Sequence, residues 1–211
     1  MVIMKILITG FEPFENSTIN PSQEVLNNLS TEFLDTPVIF TSLLPVDTTS
    51  APIILLRKIA EVSPDAVICL GQATGRSLIS LEKVAINQLD FRIPDNQGNQ
   101  IRSKVIEEFG QDAYFSSLPL EFLHERLLNA AIPCEISYTA GTYLCNQVFY
   151  TLMHIIKSTR LSIKGGFIHL PALPQQITQE GKNLPSMSLE MDIKAIQFII
   201  QSLEDHQDQQ S

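Results

Sequence analysis

Short apolar runs rich in β-branched residues alternate along this chain with longer stretches of helical period, and this order restricts the fold more than anything else in the sequence. Residues 2–9 form the first run; it is continuous, which suits a strand buried on both faces of a sheet. Asn20-Pro21-Ser22-Gln23 then opens a helix, with Asn as the cap, Pro at the first helical position and Gln at the third. That helix extends through Val25 and Leu26 to about Leu29. Further strands are expected at 38–44, 65–70, 81–89, 134–138 and 164–170. Helices are expected at 49–62, 118–131, 146–157 and 188–203, and a polar loop before the last of them. Strand and helix in turn imply an α/β chain, with a mostly parallel sheet covered on both sides. Residues 91–104 carry Pro94-Asp95-Asn96 and Gly98, the composition of a turn or hairpin outside the main sheet. The segment 94–116 is read as a protruding hairpin or loop, suited to an interface or a lid. At 211 residues the whole chain is most economically one domain, with 204–211 as a frayed polar tail.

Charge and cysteine usage exclude several function classes. A formal charge of −9 argues against a nucleic-acid or anionic-membrane partner. Cys69, Cys134 and Cys145 form no Cys-x-x-Cys pair, so neither a disulfide framework nor a thiolate zinc site is suggested. Reduced thiols fit a cytoplasmic protein. The apolar N-terminus lacks the small-residue cleavage region of a signal peptide, and no run approaches the roughly eighteen apolar residues of a membrane span. Gly71-Gln72-Ala73-Thr74-Gly75-Arg76 allows close backbone approach to a ligand. It is not a phosphate loop, because the Gly-Lys-Ser/Thr element is missing, and no dinucleotide fingerprint is present.

The chemistry centres on residues 137–146, where a strand-like run ends in small residues and Cys145 stands where a helix begins. A thiol at a helix N-terminus meets the positive end of the backbone dipole, which predicts a lowered pKa. Free N–H groups of the turn would receive a developing oxyanion. Free cysteines are nevertheless commonly small buried hydrophobes. A catalytic thiol needs a base and a group that orients the base. His124 and His154 lie within expected helices and His206 in the tail, whereas His169 ends a strand beside Pro171. Parallel topology would place His169 and Cys145 on one carboxyl edge, with Glu82 reaching it as well. Phe11 and Phe14, in the polar loop 10–16, either cap the core or wall an apolar pocket. Spacing alone leaves the structural and catalytic readings of all these residues open.

The residues themselves narrow the choice. Thr9-Gly-Phe-Glu-Pro-Phe14, Asn20-Pro-Ser22, Gly71-Gln72, Gly75-Arg76, Glu82-Lys-Val-Ala-Ile-Asn87, Arg92-Ile-Pro-Asp-Asn96, Ala140-Gly-Thr-Tyr-Leu-Cys-Asn146, Gly166-Phe-Ile-His-Leu-Pro171 and Pro185-Ser-Met-Ser-Leu-Glu190 follow one another in order. In these stretches the chain resembles the pyroglutamyl peptidase I (pyrrolidone-carboxyl peptidase) family of cysteine peptidases. The resemblance implies a three-layer α/β/α sandwich with a mixed, mostly parallel twisted sheet. It implies removal of an N-terminal pyroglutamyl residue from peptides through a thioester, without metal or cofactor. Cys145 would be the nucleophile, His169 the general base and acid, and Glu82 the residue orienting the imidazole. Phe11 and Phe14 would flank the lactam, Gln72 would contact it, and Arg92 would lie near the oxyanion. Family members form tetramers or dimers through the excursion that here covers 94–116, so a homo-oligomer is expected. Departures from the family pattern are Glu15-Asn16 in place of two glycines, Leu144 in place of valine, and Gln175-Gln176 in place of Glu-Gln. Two other readings of the same residues are a different thiol hydrolase or transferase acting on a small lactam or amide, and a binding protein that keeps the fold without catalysis.

Overall fold

The structure, a computed structural model, describes residues 3–15, 17–29, 37–180 and 183–208. In chain order the elements are β1 (Lys5–Phe11), α1 (Pro21–Asn28), β2 (Val38–Leu44), α2 (Ser50–Val62), β3 (Ala66–Gln72), β4 (Ile79–Glu82) and β5 (Val84–Ile86). They continue with β6 (Ala113–Phe115), α3 (Leu120–Asn129), β7 (Cys134–Ser137), α4 (Leu144–Ser158), β8 (Lys164–Leu170), α5 (Pro174–Glu180) and α6 (Leu189–Asp208). Six strands form the main sheet in the order β2-β1-β3-β8-β4-β7, and β5 and β6 form a separate ribbon. The first four strands of that order run parallel. β4 is antiparallel to β8 and parallel to β7, so two strands run against the rest. The sheet is therefore mixed and mostly parallel, as the family resemblance implied.

Strand alternation sorts the apolar side chains onto two faces. Ile6, Ile8, Ile68, Leu70 and Ile168 pack with Val25 of α1, Leu123 and Leu127 of α3, and Ile196, Ile199 and Ile200 of α6. Leu7, Val67, Cys69 and Phe167 face the other way, against Leu55 and Ile59 of α2 and Val148, Phe149 and Leu152 of α4. The result is three layers, with α1, α3 and α6 on one side and α2 and α4 on the other. Asn20 caps α1 as expected; its Oδ1 accepts from the Ser22 N–H, and Pro21 follows at the first helical position.

Four sequence expectations change. The run 81–89 is two strands: β4 belongs to the main sheet, β5 to the ribbon, and Glu82 ends β4. Lys83 is the crossover, its N–H donating to the Ser137 carbonyl and its own carbonyl accepting from the Ser116 N–H. The polar loop before the last helix contains α5. The strand at 65–70 continues through Gly71 and Gln72, so both belong to β3 and not to a loop. The tail expected to fray remains helical to Asp208, while 209–211 lie outside the described residues. Polar residues of that last turn dock on α3: Arg126 donates to Asp205 at 2.7 Å, and the His206 and Phe122 rings lie 5.0 Å apart.

Asp192 of α6 is fully buried, and neither carboxyl oxygen has a partner among the described residues. Burial pushes its pKa up from 3.8 to about 8. Between those values the folded chain holds a proton that the unfolded chain releases, so stability declines as pH rises through that window. Asp192→Asn removes the titration. Thermal or denaturant unfolding at pH 5 and pH 8 should show the variant gaining on the parent by roughly 3–4 kcal/mol across the interval, at about 1.4 kcal/mol per unit. Parallel stability curves for the two proteins would refute this account.

Candidate active site

The first turn of α4 is held from both sides by the residues that follow Cys145. Buried Asn146 accepts from the Ile86 N–H at 2.9 Å and donates to the Ile86 and Gln88 carbonyls at 2.8 and 3.0 Å, which anchors the helix to β5. Gln147 donates to the Thr48 carbonyl at 2.9 Å and accepts from the Thr48 hydroxyl at 2.9 Å. Two polar residues thus fix the start of an otherwise apolar helix. The helix begins at Leu144, so Cys145 lies within its first turn and not ahead of it. Tyr143, at the cap position, makes no side-chain cap bond. The opening N–H groups of the helix therefore have no intrahelical acceptor.

Beneath that turn lie Gly71 and His169, paired with each other across the β3–β8 ladder. A Cβ on Gly71 would stand 2.8 Å from Cys145 Sγ and 2.8 Å from Phe167 Cζ, so only glycine admits the thiol here. Phe167 and His169 occupy alternate positions of β8 and share one face. Glu82 is opposite Phe167 and Ser80 opposite His169. Glu82 therefore meets His169 on the cross-strand diagonal, with His169 Nδ1 2.7 Å from Glu82 Oε1. This differs from the expected arrangement on one carboxyl edge: β4 runs against β8, and Glu82 reaches the imidazole laterally across the sheet. His124 lies in α3, His154 bonds the Tyr114 hydroxyl at 3.0 Å, and His206 packs on Phe122.

Two recesses adjoin Cys145. The inner one is small and almost wholly apolar, bounded by Phe11, Phe14, Val46, Tyr143 and Leu144, with Asn20 and Gln72 contributing its polar atoms. The outer cleft, of about 470 Å³, includes Cys145, His169, Gln72, Arg76, Glu15 and Arg92 on its walls. Six of the seven residues singled out in the sequence line one or both recesses; the seventh, Glu82, is buried behind His169. Phe11 is buried, Phe14 half-buried and Arg92 exposed. The Tyr143 ring packs edge-on against Phe91 at 4.6 Å and tilts toward Phe14 at 6.5 Å, adding a third aromatic wall.

Second-layer contacts hold the inner recess in shape. Gln72 donates to Thr74 Oγ1 at 2.9 Å and accepts from Gln176 at 3.0 Å; Gln176, buried on α5, also donates to Ser17 Oγ and the Ile19 carbonyl. Asn96 donates to Glu12 Oε1 and the Pro13 carbonyl, so the near end of the 94–116 excursion docks on the loop that carries Phe14. Residues 97–109 are mostly exposed. Glu15 adopts φ 55, the left-handed conformation that a glycine supplies without strain. Asn16 lies outside the described residues.

The electrostatics revise one sequence expectation. Burial, reinforced by the nearby Glu82 carboxylate, pushes the Cys145 thiol up to about 12, against the opposing effects of a backbone hydrogen bond and of Arg76. Desolvation outweighs both, so the resting group is a thiol and not the low-pKa thiolate expected from its position. For Glu82, burial alone would raise the pKa. The hydrogen bond and charge of His169, with Ser137 and Arg76, outweigh it and hold the carboxyl below its ordinary range. An ionised Glu82 accepts the Nδ1–H of His169 and leaves Nε2 free to take a proton.

Sequence reasoning passed over Arg76, Asn146, Gln147 and Gln176. Asn146 and Gln147 carried a signal, being adjacent polar residues at the start of a strongly apolar helix. Arg76 and Gln176 stood in the family comparison, in Gly75-Arg76 and Gln175-Gln176, but nothing local gave them a role, because their partners are distant in sequence.

Comparison with known proteins places this geometry. Residues 4–206 match the family model described as pyroglutamyl peptidase. A pyrrolidone-carboxylate peptidase of Vibrio parahaemolyticus is 44% identical over 203 residues, covering 96% of this chain and 94% of that protein. One from Thermosipho africanus is also 44% identical, over 200 residues, covering 95% and 97%. Among solved structures, pyroglutamyl peptidase I from Bacillus amyloliquefaciens superposes with a TM-score of 0.91 at 39% identity, covering 95% of each chain. A mutant pyrrolidone carboxyl peptidase from Pyrococcus furiosus gives 0.91 at 39%, covering 96% and 99%. With a matching family model over almost its full length and such relatives, this chain belongs to the pyroglutamyl peptidase family of peptidases.

Proposed function

We propose that this protein removes N-terminal pyroglutamyl residues from peptides through a Cys145 thioester, with His169 as general base and acid and Glu82 as the group orienting it. The observation that carries the reading is the 2.7 Å Glu82–His169 bond at the wall of the cleft that also holds Cys145, next to an apolar recess lined by Phe11 and Phe14.

The chemistry follows from the protonation states. Because the resting thiol is neutral, its proton passes to His169 Nε2 as Sγ attacks the pyroglutamyl carbonyl carbon. Glu82 stabilises the imidazolium that results. The tetrahedral oxyanion faces the unpaired N–H groups of the first turn of α4, and Arg92 on the cleft wall adds positive charge nearby. The imidazolium then gives its proton to the departing peptide amine, the C–N bond breaks, and the thioester remains. Water, deprotonated by His169, attacks the thioester and releases pyroglutamate and the free thiol.

Specificity follows from what the recess lacks. A pyroglutamyl ring is flat and uncharged, with a lactam N–H and C=O as its polar groups. Aromatic walls suit the ring faces, and the Gln72 amide, held by Thr74 and Gln176, suits a lactam edge. Among the described residues no carboxylate lines the inner recess to meet the charged α-amine of an ordinary N-terminus, so such a residue would bury an unpaired charge. The four stretches of the family match around Phe11, Glu82, Cys145 and His169 support the assignment of roles. A cytoplasmic location, and assembly into a dimer or tetramer through 94–116, complete the proposal. No helix among the described residues is long and apolar enough to cross a membrane.

A panel of arylamides tests the reading. Rapid release from the pyroglutamyl substrate is expected, with prolyl and glutaminyl analogues slower by about a hundredfold or more. Comparable rates on all three would sink it.

A further inference from the structure

Arg76 leaves the loop after β3 and ends at the one carboxylate on which the proposed triad depends. Its Nη1 donates to Glu82 Oε1 at 2.7 Å and to Ser137 Oγ at 3.3 Å, and its Nη2 donates to the Thr139 carbonyl at 2.9 Å. Ser137 Oγ donates in turn to the same carbonyl at 3.3 Å. One guanidinium thus joins the end of β4, the end of β7 and the turn that leads to Cys145. A fork of planar donors is needed for this, and a lysine ammonium cannot reproduce it.

We propose that Arg76 is a positioning residue of the reaction, fixing Glu82 against His169 and tying the turn before Cys145 to the same carboxylate. The inference rests on the triad reading above and adds to it a member that acts through Glu82. Three observations support it. Glu82 Oε1 receives both His169 and Arg76, whereas Oε2 has no partner among the described residues. The Glu82 side chain is wholly buried, and the Arg76 side chain is 28% exposed, so the guanidinium closes the carboxylate off from solvent. Without Arg76, the only other cation among the described residues able to balance Glu82 is His169, and only once it is protonated.

That last point gives the role its chemical content. Proton transfer from Cys145 to His169 creates a thiolate near Glu82, and the two negative charges repel. Arg76 offsets the carboxylate before the thiolate forms, so its contribution is greatest when charge has separated. The charged and titratable groups facing Glu82 are Arg76 from the loop after β3, His169 of β8 and Cys145 of α4. From β7 the neighbour is neutral Ser137, and Glu135 on that strand is engaged by Ser80 Oγ at 2.9 Å. Lys83, next to Glu82, pairs instead with Glu121.

The test uses the full chain with a pyroglutamyl arylamide, reading kcat, KM and the pH profile of kcat/KM for wild type, Arg76→Met and Arg76→Lys. Arg76→Met should lower kcat about a hundredfold, with KM changed less than about threefold, because the interaction strengthens as charge develops. Its acidic limb should move to higher pH, since Glu82 loses a neighbouring cation and holds its proton more tightly. Arg76→Lys keeps the charge but not the fork. It should leave that limb near its wild-type position and recover only part of kcat. A wild-type kcat in Arg76→Met overturns the proposal, and so does a lower kcat with an unmoved acidic limb, which would mark a purely structural contact. If Arg76→Met does not fold by circular dichroism, Arg76→Lys decides alone: a roughly tenfold loss of kcat with the limb in place supports the role, and an unchanged kcat removes it. Failure of the wild-type enzyme on this substrate would reject the proposed function, an outcome distinct from any result on the variants.

Discussion

Cys145→Ala is expected to abolish turnover of a pyroglutamyl arylamide, lowering kcat by roughly four orders of magnitude or more. Two measurements check it: steady-state rates on the purified variant, and a thermal melt to show that it remains folded. The fold should survive, because the change removes one sulfur from a partly buried position and the first turn of α4 stays anchored by Asn146 and Gln147. Alkylation adds an independent reading. With its pKa pushed up to about 12, the thiol has little thiolate of its own at neutral pH and depends on His169 to lose its proton. Iodoacetamide should therefore modify Cys145 in the wild type faster than Cys69 or Cys134, which are raised to about 12 and 11 by burial. In His169→Ala that advantage should disappear. Near-normal turnover by Cys145→Ala would remove the thiol from the mechanism altogether.

Gly71→Ala should have the next largest effect, although Gly71 carries no chemistry. The added methyl would stand 2.8 Å from both Cys145 Sγ and Phe167 Cζ. Neither can retreat easily: Phe167 is fully buried beside His169, at a ring separation of 4.8 Å, and α4 is fixed at its first turn. The thiol must shift by several tenths of an ångström or more, and displacements of that order at a reacting atom cost about a hundredfold. We expect kcat/KM to fall by roughly that factor, together with a stability loss of about 1–3 kcal/mol from overpacking. Gly98→Ala is the control. Gly98, unlike Gly71, adopts positive φ, at 84°, so alanine there is strained; an added Cβ meets nothing within 4 Å, so activity should be retained. Wild-type kcat/KM in Gly71→Ala would show that the contact is soft and that the close approach of thiol and strand has no catalytic consequence.

The proposed mechanism divides labour in a way these variants can separate. Cys145 and His169 exchange the proton, Glu82 and Arg76 hold the imidazole and balance charge, and Gly71 clears the space. Loss of a reacting group removes chemistry, loss of a holding group shifts the pH profile, and loss of clearance displaces the nucleophile while leaving every charge in place.

Much of the fold was legible because its cause is local. Short strand-like runs marked β2 and β8 with the bounds observed, and Asn20-Pro21 marked the start of α1, since a cap and a fixed φ act within a few residues. The split of 81–89 was not legible. Its apolar residues recur on both sides of Glu82-Lys83, and only the pairing of β4 with β7 and β8, and of β5 with β6, divides it. The last turn of α6 was also hidden, because polar residues that would fray alone are held by Phe122 and Arg126 on another helix. Of the site, Cys145, His169 and Glu82 stood out by residue type and through the family stretches. Their pairing was implied by the resemblance, but the antiparallel strand from which Glu82 meets His169 was not.

By itself the sequence determined the α/β class, the layering implied by its apolar periods, the family, and the candidate residues, because each depends on residue type or on short-range pattern. Tertiary structure alone decided that Glu82 reaches His169 from an antiparallel strand, that Arg76 holds that carboxylate, and that burial leaves Cys145 a neutral thiol despite its place at a helix N-terminus. Those outcomes depend on which strands lie side by side and on how much water the packed layers exclude. Both are set by contacts between residues far apart in the chain, where local pattern carries no information.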